Sequence, residues 1–151
     1  MNWATGNWAP LVRITEPDET KRWSKFCEDR PGVYRLIALD GVTPELMPAS
    51  ITRACGTDAT GTLYIGMATS LPGRLGVLVR THHPDYPDGR GHPKLHPPLA
   101  KRFPPEKLAI TWEYAEAAND RERQLMDLYI NAFGDRPPLN PQGGVLERGL
   151  A

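Results

Sequence analysis

The stretch Leu63-Tyr64-Ile65-Gly66, followed by Met67 to Arg74, constrains the chain most. A run of strand-forming residues ends in a glycine, and the period of the apolar residues then changes. Leu71, Leu75, Leu78 and Val79 stand at i, i+4, i+7 and i+8, one stripe of a helix. Ser70 is a credible N-cap, and Pro72 is tolerable in the first turn. A strand that passes this directly into a helix puts Gly66 at the mouth of the strand. Arg74 then lies one turn after Leu71 and one turn before Leu78, at the border of the apolar stripe. Gly73 and Gly76 weaken the helix by up to about 1 kcal/mol each relative to alanine, or admit a close neighbour.

The other elements are read around this one. Pro17 to Glu28 is expected to form a short helix, with Trp23, Phe26 and Cys27 on one face, and Pro31-Gly32 stops it. Val33 to Leu39 reads as the first strand and Asp40-Gly41 as a turn. Thr62 to Gly66 is the second strand, antiparallel to the first, and the connection between them holds a short strand around Ile51 to Ala54. Leu108 to Tyr114 is the third strand, with Leu108, Ile110, Trp112 and Tyr114 on one face. The last helix runs from Asp120 to Phe133, capped by Asn119 and Gly134, and buries Leu125, Met126, Tyr129, Ile130 and Phe133. The expected class is α+β: a small central three-stranded antiparallel sheet flanked by helices. Residues 1–30 are an arm and helix packed on the domain, residues 31–140 the domain itself, and residues 141–151 a tail. Within the domain, 41–61 is a long hairpin insertion and 83–105 a surface loop with a helical turn around Leu99 to Phe103. The window 82–105 holds seven prolines and all four histidines. A loop this long inside a compact domain is usually functional or disordered.

At 151 residues the chain suits one domain. No apolar run approaches the roughly 20 residues of a membrane span, and the N-terminus lacks the pattern of a secretory signal, so a cytoplasmic protein is expected. Cys27 and Cys55 are too few for a disulfide framework. The net charge is zero, which is unusual for a binder of phosphate backbones. The charge is uneven, however. Between positions 74 and 107 seven cations (Arg74, Arg80, Arg90, Lys94, Lys101, Arg102 and Lys107) face three carboxylates, a net of +4 that leaves −4 elsewhere. That window is either a local phosphate-attracting face or a solvated loop.

Several residues could carry chemistry. Glu122 lies four before Met126 and seven before Tyr129, on the core-facing side of its helix. A carboxylate there needs a cation, a metal or backbone donors. It could hold Mg²⁺ by one oxygen, or close a capping box with Asn119. Arg74 offers a planar fork for a phosphate, or is a solvated helix arginine. Tyr34 and Tyr64 each sit near a glycine on a strand, where tyrosine is common for packing alone. A zinc pair of His92 and His96 is disfavoured, because Pro93 breaks any helix presenting both and no thiolate completes the set.

Taken together, Gly32-Val33-Tyr34, Tyr64-Ile65-Gly66, Arg74, Glu122 and Asn140 resemble the GIY-YIG nuclease superfamily over roughly residues 31–140. The spacing from Tyr-Ile-Gly to arginine and the ending Pro137-Pro138-Leu139-Asn140 carry most of the likeness. The 29 residues between Tyr34 and Tyr64 require the hairpin insertion. The resemblance implies metal-dependent hydrolysis of a phosphodiester bond in DNA, with RNA as the alternative. Mg²⁺ or Mn²⁺ would sit on Glu122, Arg74 would clamp the phosphate, and Asn140 would fix the geometry. Tyr64 would deprotonate water while Tyr34 orients it, with His82 or His83 sharing the proton. Arg80, Arg90, Lys94, Lys101 and Arg102 would meet the backbone, and a homodimer or protein partner would add specificity. The competing expectations are a non-catalytic nucleic-acid-binding module and a protein-interaction domain.

Overall fold

Gly32–Ala38 is buried at every position and has a strand on either side of it. In chain order the elements are β1 (Val12–Arg13), β2 (Gly32–Ala38), β3 (Ile51–Arg53), β4 (Gly56–Asp58), β5 (Thr62–Ala68), α1 (Leu71–His82), α2 (Pro97–Arg102), β6 (Leu108–Tyr114) and α3 (Ala118–Phe133). The computed structural model describes residues 3–16, 23, 25–86 and 89–141. The expected helix over Pro17 to Glu28 falls largely outside these, as does the tail beyond Pro141. Of its three expected core residues, Trp23 and Cys27 are buried and Phe26 is exposed.

The class is α+β, as expected, but the antiparallel sheet has four strands, in the order β1-β6-β2-β5. The correction comes from the N-terminal arm. Val12 and Arg13 pair with Ile110 and Ala109, covering the edge that β6 would otherwise expose. Residues 1–15 show no strand period, because this two-residue strand is recruited by an open edge rather than by its own pattern. Leu108–Tyr114 matches the expected third strand, and the connection from β2 to β5 holds the β3–β4 hairpin.

The sheet is covered on both faces. Tyr34, Leu36, Leu108, Ile110 and Trp112 face α1, which contributes Leu71, Leu75, Leu78 and Val79 as its stripe predicted. Val33 and Ile65 point the opposite way and meet Leu125 and Tyr129 of α3 together with Trp3 and Ala4 of the arm. Met126, Ile130 and Phe133, expected in that core, are half-buried. On this second face a buried charge ties the arm down. Arg35 lies under the Trp8 ring at 4.4 Å and donates to Thr62 Oγ1 at 3.0 Å. Burial pulls its pKa down to about 10, against the opposing charges of Asp58 and Glu113. Glu113 accepts from Arg121 Nε and from the Asn7 backbone, both at 2.6 Å.

Helix α3 starts at Ala118, two residues before the expected boundary, with Ala117 rather than Asn119 at the cap. Glu122 therefore lies a full turn inside the helix and closes no capping box. The far end follows expectation: Gly134 is left-handed at φ 73°, and a Cβ there would run into the Cys55 sulfur. Gly134→Ala is expected to lower stability by about 1–3 kcal/mol, from positive-φ strain and that collision, as read by urea denaturation.

Candidate functional site

The antiparallel pairing of β2 with β5 sets Tyr34 opposite Gly66. A Cβ on Gly66 would lie 2.5 Å from Tyr34 Cζ and 2.6 Å from its hydroxyl oxygen. The glycine is thus the space that the phenol occupies. Tyr64, two residues earlier on the same face, brings its ring centroid to 6.0 Å from that of Tyr34. One turn into α1, Arg74 Nε donates to the Tyr34 hydroxyl at 3.1 Å. Arg74 Nη1 donates to the Gly91 carbonyl at 2.8 Å, which anchors the long loop to the helix. Gly91 has φ 104°, a conformation that favours glycine.

That anchor delivers a residue outside the expected set. His92 is buried, with its ring edge-on to Tyr64 at 4.5 Å and 6.0 Å from Tyr34. His92 Nδ1 lies 3.1 Å from the Pro93 carbonyl. A carbonyl only accepts, so Nδ1 carries the proton and Nε2 is the bare acceptor. Nε2 is buried without a hydrogen-bond partner. The expected imidazole, His82, ends α1 and meets His92 at 5.6 Å between ring centroids. His92 stands between it and Tyr64. His83 turns toward Tyr86 and Asp85. The Gly-Arg-Gly run at 89–91, immediately before His92, was the available signal, since paired glycines in a loop mark a close approach.

Glu122 comes from the other side. Helix α3 covers the face opposite α1, so acid and guanidinium are not neighbours. Burial alone raises the Glu122 pKa, and among the described residues it has no hydrogen bond or ion pair. Yet its charge reaches both phenols. Burial raises Tyr34 first, with Tyr64 and Glu122 adding to it and the Arg74 bond opposing. Burial also raises Tyr64 first, with Arg74 lowering it and Glu122 raising it again. Arg74 and Glu122 therefore act on both phenols with opposite sign. Arg74 stays protonated: burial works against its charge, but the Tyr34 bond and both phenols outweigh it.

Asn140 does not reach into this group. Its Oδ1 accepts from Ile65 N and its Nδ2 donates to Ile65 O, each at 2.9 Å. Leu139 N adds a bond to Leu63 O at 2.8 Å. An amide side chain thus takes the place of a neighbouring strand on the free edge of β5, and it fixes the strand that bears Tyr64 and Gly66. The exposed cations Arg80, Arg90, Lys94, Lys101 and Arg102 ring the far end of α1, the loop and α2. Among the described residues no group of three or more His, Cys, Asp or Glu side chains could hold a metal. Mg²⁺ keeps most of its waters and binds through one or two carboxylates, so a half-buried, unpaired Glu122 fits it as a sole protein ligand. No family model matches the chain, and no curated protein or solved structure matches it.

Two outcomes test this geometry. Asn140→Ala leaves both edge groups of Ile65 without their partner and is expected to cost roughly 1–3 kcal/mol, with faster amide exchange at Ile65. The second concerns pH. Burial, opposed by the Pro93 carbonyl, lowers His92 from 6.5 to about 3. Burial and Lys94, opposed by the Pro93 carbonyl, lower His82 from 6.5 to about 4. Between those values and 6.5 the unfolded chain holds more protons than the folded one. Stability is then full above about 6.5 and falls as pH drops toward 4, with Glu122 opposing over part of that range. Urea midpoints at successive pH values should show this slope, and His92→Phe should flatten it.

Proposed function

We propose that the protein is a metal-dependent endonuclease of GIY-YIG type, hydrolysing phosphodiester bonds in DNA. The observation that carries this reading is the gathering of Tyr34, Tyr64 and Arg74 around one edge of the sheet, with the charge of Glu122 reaching both phenols. Five residues spread over more than a hundred positions contribute to that edge, counting Asn140, which holds it.

Each side chain has a task that its surroundings support. Arg74 keeps its charge and is held by Tyr34 and Gly91, so its remaining N–H donors are positioned for two phosphate oxygens. Tyr34, already accepting from Arg74, is a neutral phenol at neutral pH and orients the attacking water. Tyr64 needs a base beside it, because burial raises rather than lowers its pKa. His92 packs edge-on against the Tyr64 ring but, with its pKa lowered to about 3 by burial, is too weak a base to keep that proton, so solvent water receives it. The water oxygen bonds to phosphorus, its proton passes by way of Tyr64 to solvent water, and the departing sugar oxygen takes a proton from solvent. Mg²⁺ or Mn²⁺ on Glu122 would stabilise charge on the leaving oxygen.

A second reading, a non-catalytic nucleic-acid-binding module, is favoured by the five exposed cations, which need no chemistry to bind a backbone. RNA is compatible with either reading, and a homodimer or protein partner remains an open source of specificity. Among the described residues no helix is long and apolar enough to cross a membrane.

Nicking of supercoiled DNA with and without Mg²⁺ separates the readings. Arg74→Ala and Glu122→Gln are each expected to lower cleavage by at least about a hundredfold. Glu122→Gln should leave the urea midpoint unchanged or higher, since burial disfavours the charge. Binding without cutting by the wild-type protein supports the module instead.

A further inference from the structure

A cavity of about 170 Å³ opens where the C-terminal end of α1 meets α2 and the segment before β6. Leu95, Phe103, Pro104 and Leu108 form apolar walls, and Thr81, His82 and Lys94 are its polar lining residues. Among the described residues His82 Nε2 makes no hydrogen bond and is closed off from solvent. Two ring contacts, 5.6 Å from His82 to His92 and 4.5 Å from His92 to Tyr64, connect the cavity to the phenols. One extended nucleotide covers such a span.

We propose that this cavity receives an unpaired nucleobase of the strand being cut, next to the scissile phosphate. The inference rests on the phosphodiester reading and extends it to the kind of substrate. A nucleobase is flat and apolar on its faces and polar at its edge, and the cavity has apolar walls bordered by the His82 ring, Thr81 and the exposed Lys94. An aliphatic ligand would leave Lys94 unmatched, and a bare anion would leave the apolar walls unused. Lys94 is exposed, as are Lys101 and Arg102 on the adjoining α2, so the phosphates on either side of the base meet cations. Packing of base faces against apolar and aromatic side chains tolerates any sequence. A base inside an intact duplex cannot enter, whereas a bulged or mismatched one leaves its stack at lower cost. Selectivity would then follow the structure of the nucleic acid rather than its sequence.

The test is fluorescence anisotropy of the full chain in EDTA, with a labelled duplex and the same duplex carrying one extra unpaired nucleotide. The bulged duplex is expected to bind about tenfold tighter. Ala100→Trp fills the cavity from the exposed side of α2 and should erase that preference while affinity for the paired duplex holds. Leu95→Phe, from the loop side, should do the same and serves if the tryptophan variant does not fold. 2-Aminopurine at the bulge should be quenched by the wild-type protein and not by either variant. Equal affinity for the two duplexes, or a preference that survives both variants, overturns the proposal. Cleavage with Mg²⁺ separates this from the reading beneath it. Bulge preference without cutting keeps the cavity and removes the hydrolase. Equal cutting of both duplexes, unaffected by the variants, removes the cavity alone. No binding to either duplex overturns both.

Discussion

The pairing of Tyr34 with Gly66 across β2 and β5 is the contact on which the rest of the arrangement depends. A buried phenol on a central strand needs room over the neighbouring strand, and only a residue without a side chain leaves it. Once the ring lies there, its hydroxyl must find a partner, because a buried hydroxyl left unpaired is costly. Arg74 reaches it from the first turns of α1, and that helix can begin where it does because β5 ends two residues after the glycine. The guanidinium then holds the Gly91 carbonyl, and the loop that follows brings His92 against Tyr64. A chain of local necessities thus leads from one glycine to a cluster of two phenols, a guanidinium and an imidazole.

The same sheet explains why the acid stands apart. Neighbouring residues of a strand point to opposite faces, so Tyr34 and Tyr64 belong to the α1 side while Val33 and Ile65 belong to the α3 side. Glu122, on α3, acts by its charge on both phenols, which lie over β5, a strand with one free edge. That edge is where a sheet is weakest, since its outward N–H and C=O groups lack a partner strand. Asn140 satisfies both groups of Ile65 with one amide. An edge clamped in this way holds its backbone for the phenols without closing the surface to a ligand.

Burial gives these groups their electrostatic character. The imidazoles of His82 and His92 are kept neutral, the phenols are kept protonated, and among the described residues the Glu122 carboxylate has no ion pair. Among the described residues such a cluster combines a fixed cation, Arg74, with an unpaired acid, Glu122, and neutral phenols and imidazoles. It is suited to an anion on the guanidinium side and a cation on the carboxylate side, which is the pairing that the proposed phosphodiester and Mg²⁺ would make.

Period and punctuation made most of the fold readable. The alternation in Leu108–Tyr114, the stripe through Leu71, Leu75, Leu78 and Val79, and the glycine after Phe133 each follow from local geometry, so the strands and helices of the central domain fall where the residues place them. The tyrosine, arginine and glutamate positions were legible for the same reason. What the chain could not state locally was decided by contacts between distant segments. Val12 and Arg13 became a strand only because β6 offered an open edge, and Asn119 lost the cap because α3 gained another half turn. Asn140 turned to the backbone of Ile65 because that edge needed two hydrogen bonds, and His92 displaced His82 because Arg74 holds the loop by a glycine carbonyl. Amino-acid order alone determined the elements and the residue types that bear the chemistry. Which imidazole meets the phenols, and from which face the acid arrives, depended on how the sheet divides the chain between its two sides, and no spacing along the sequence encodes that division.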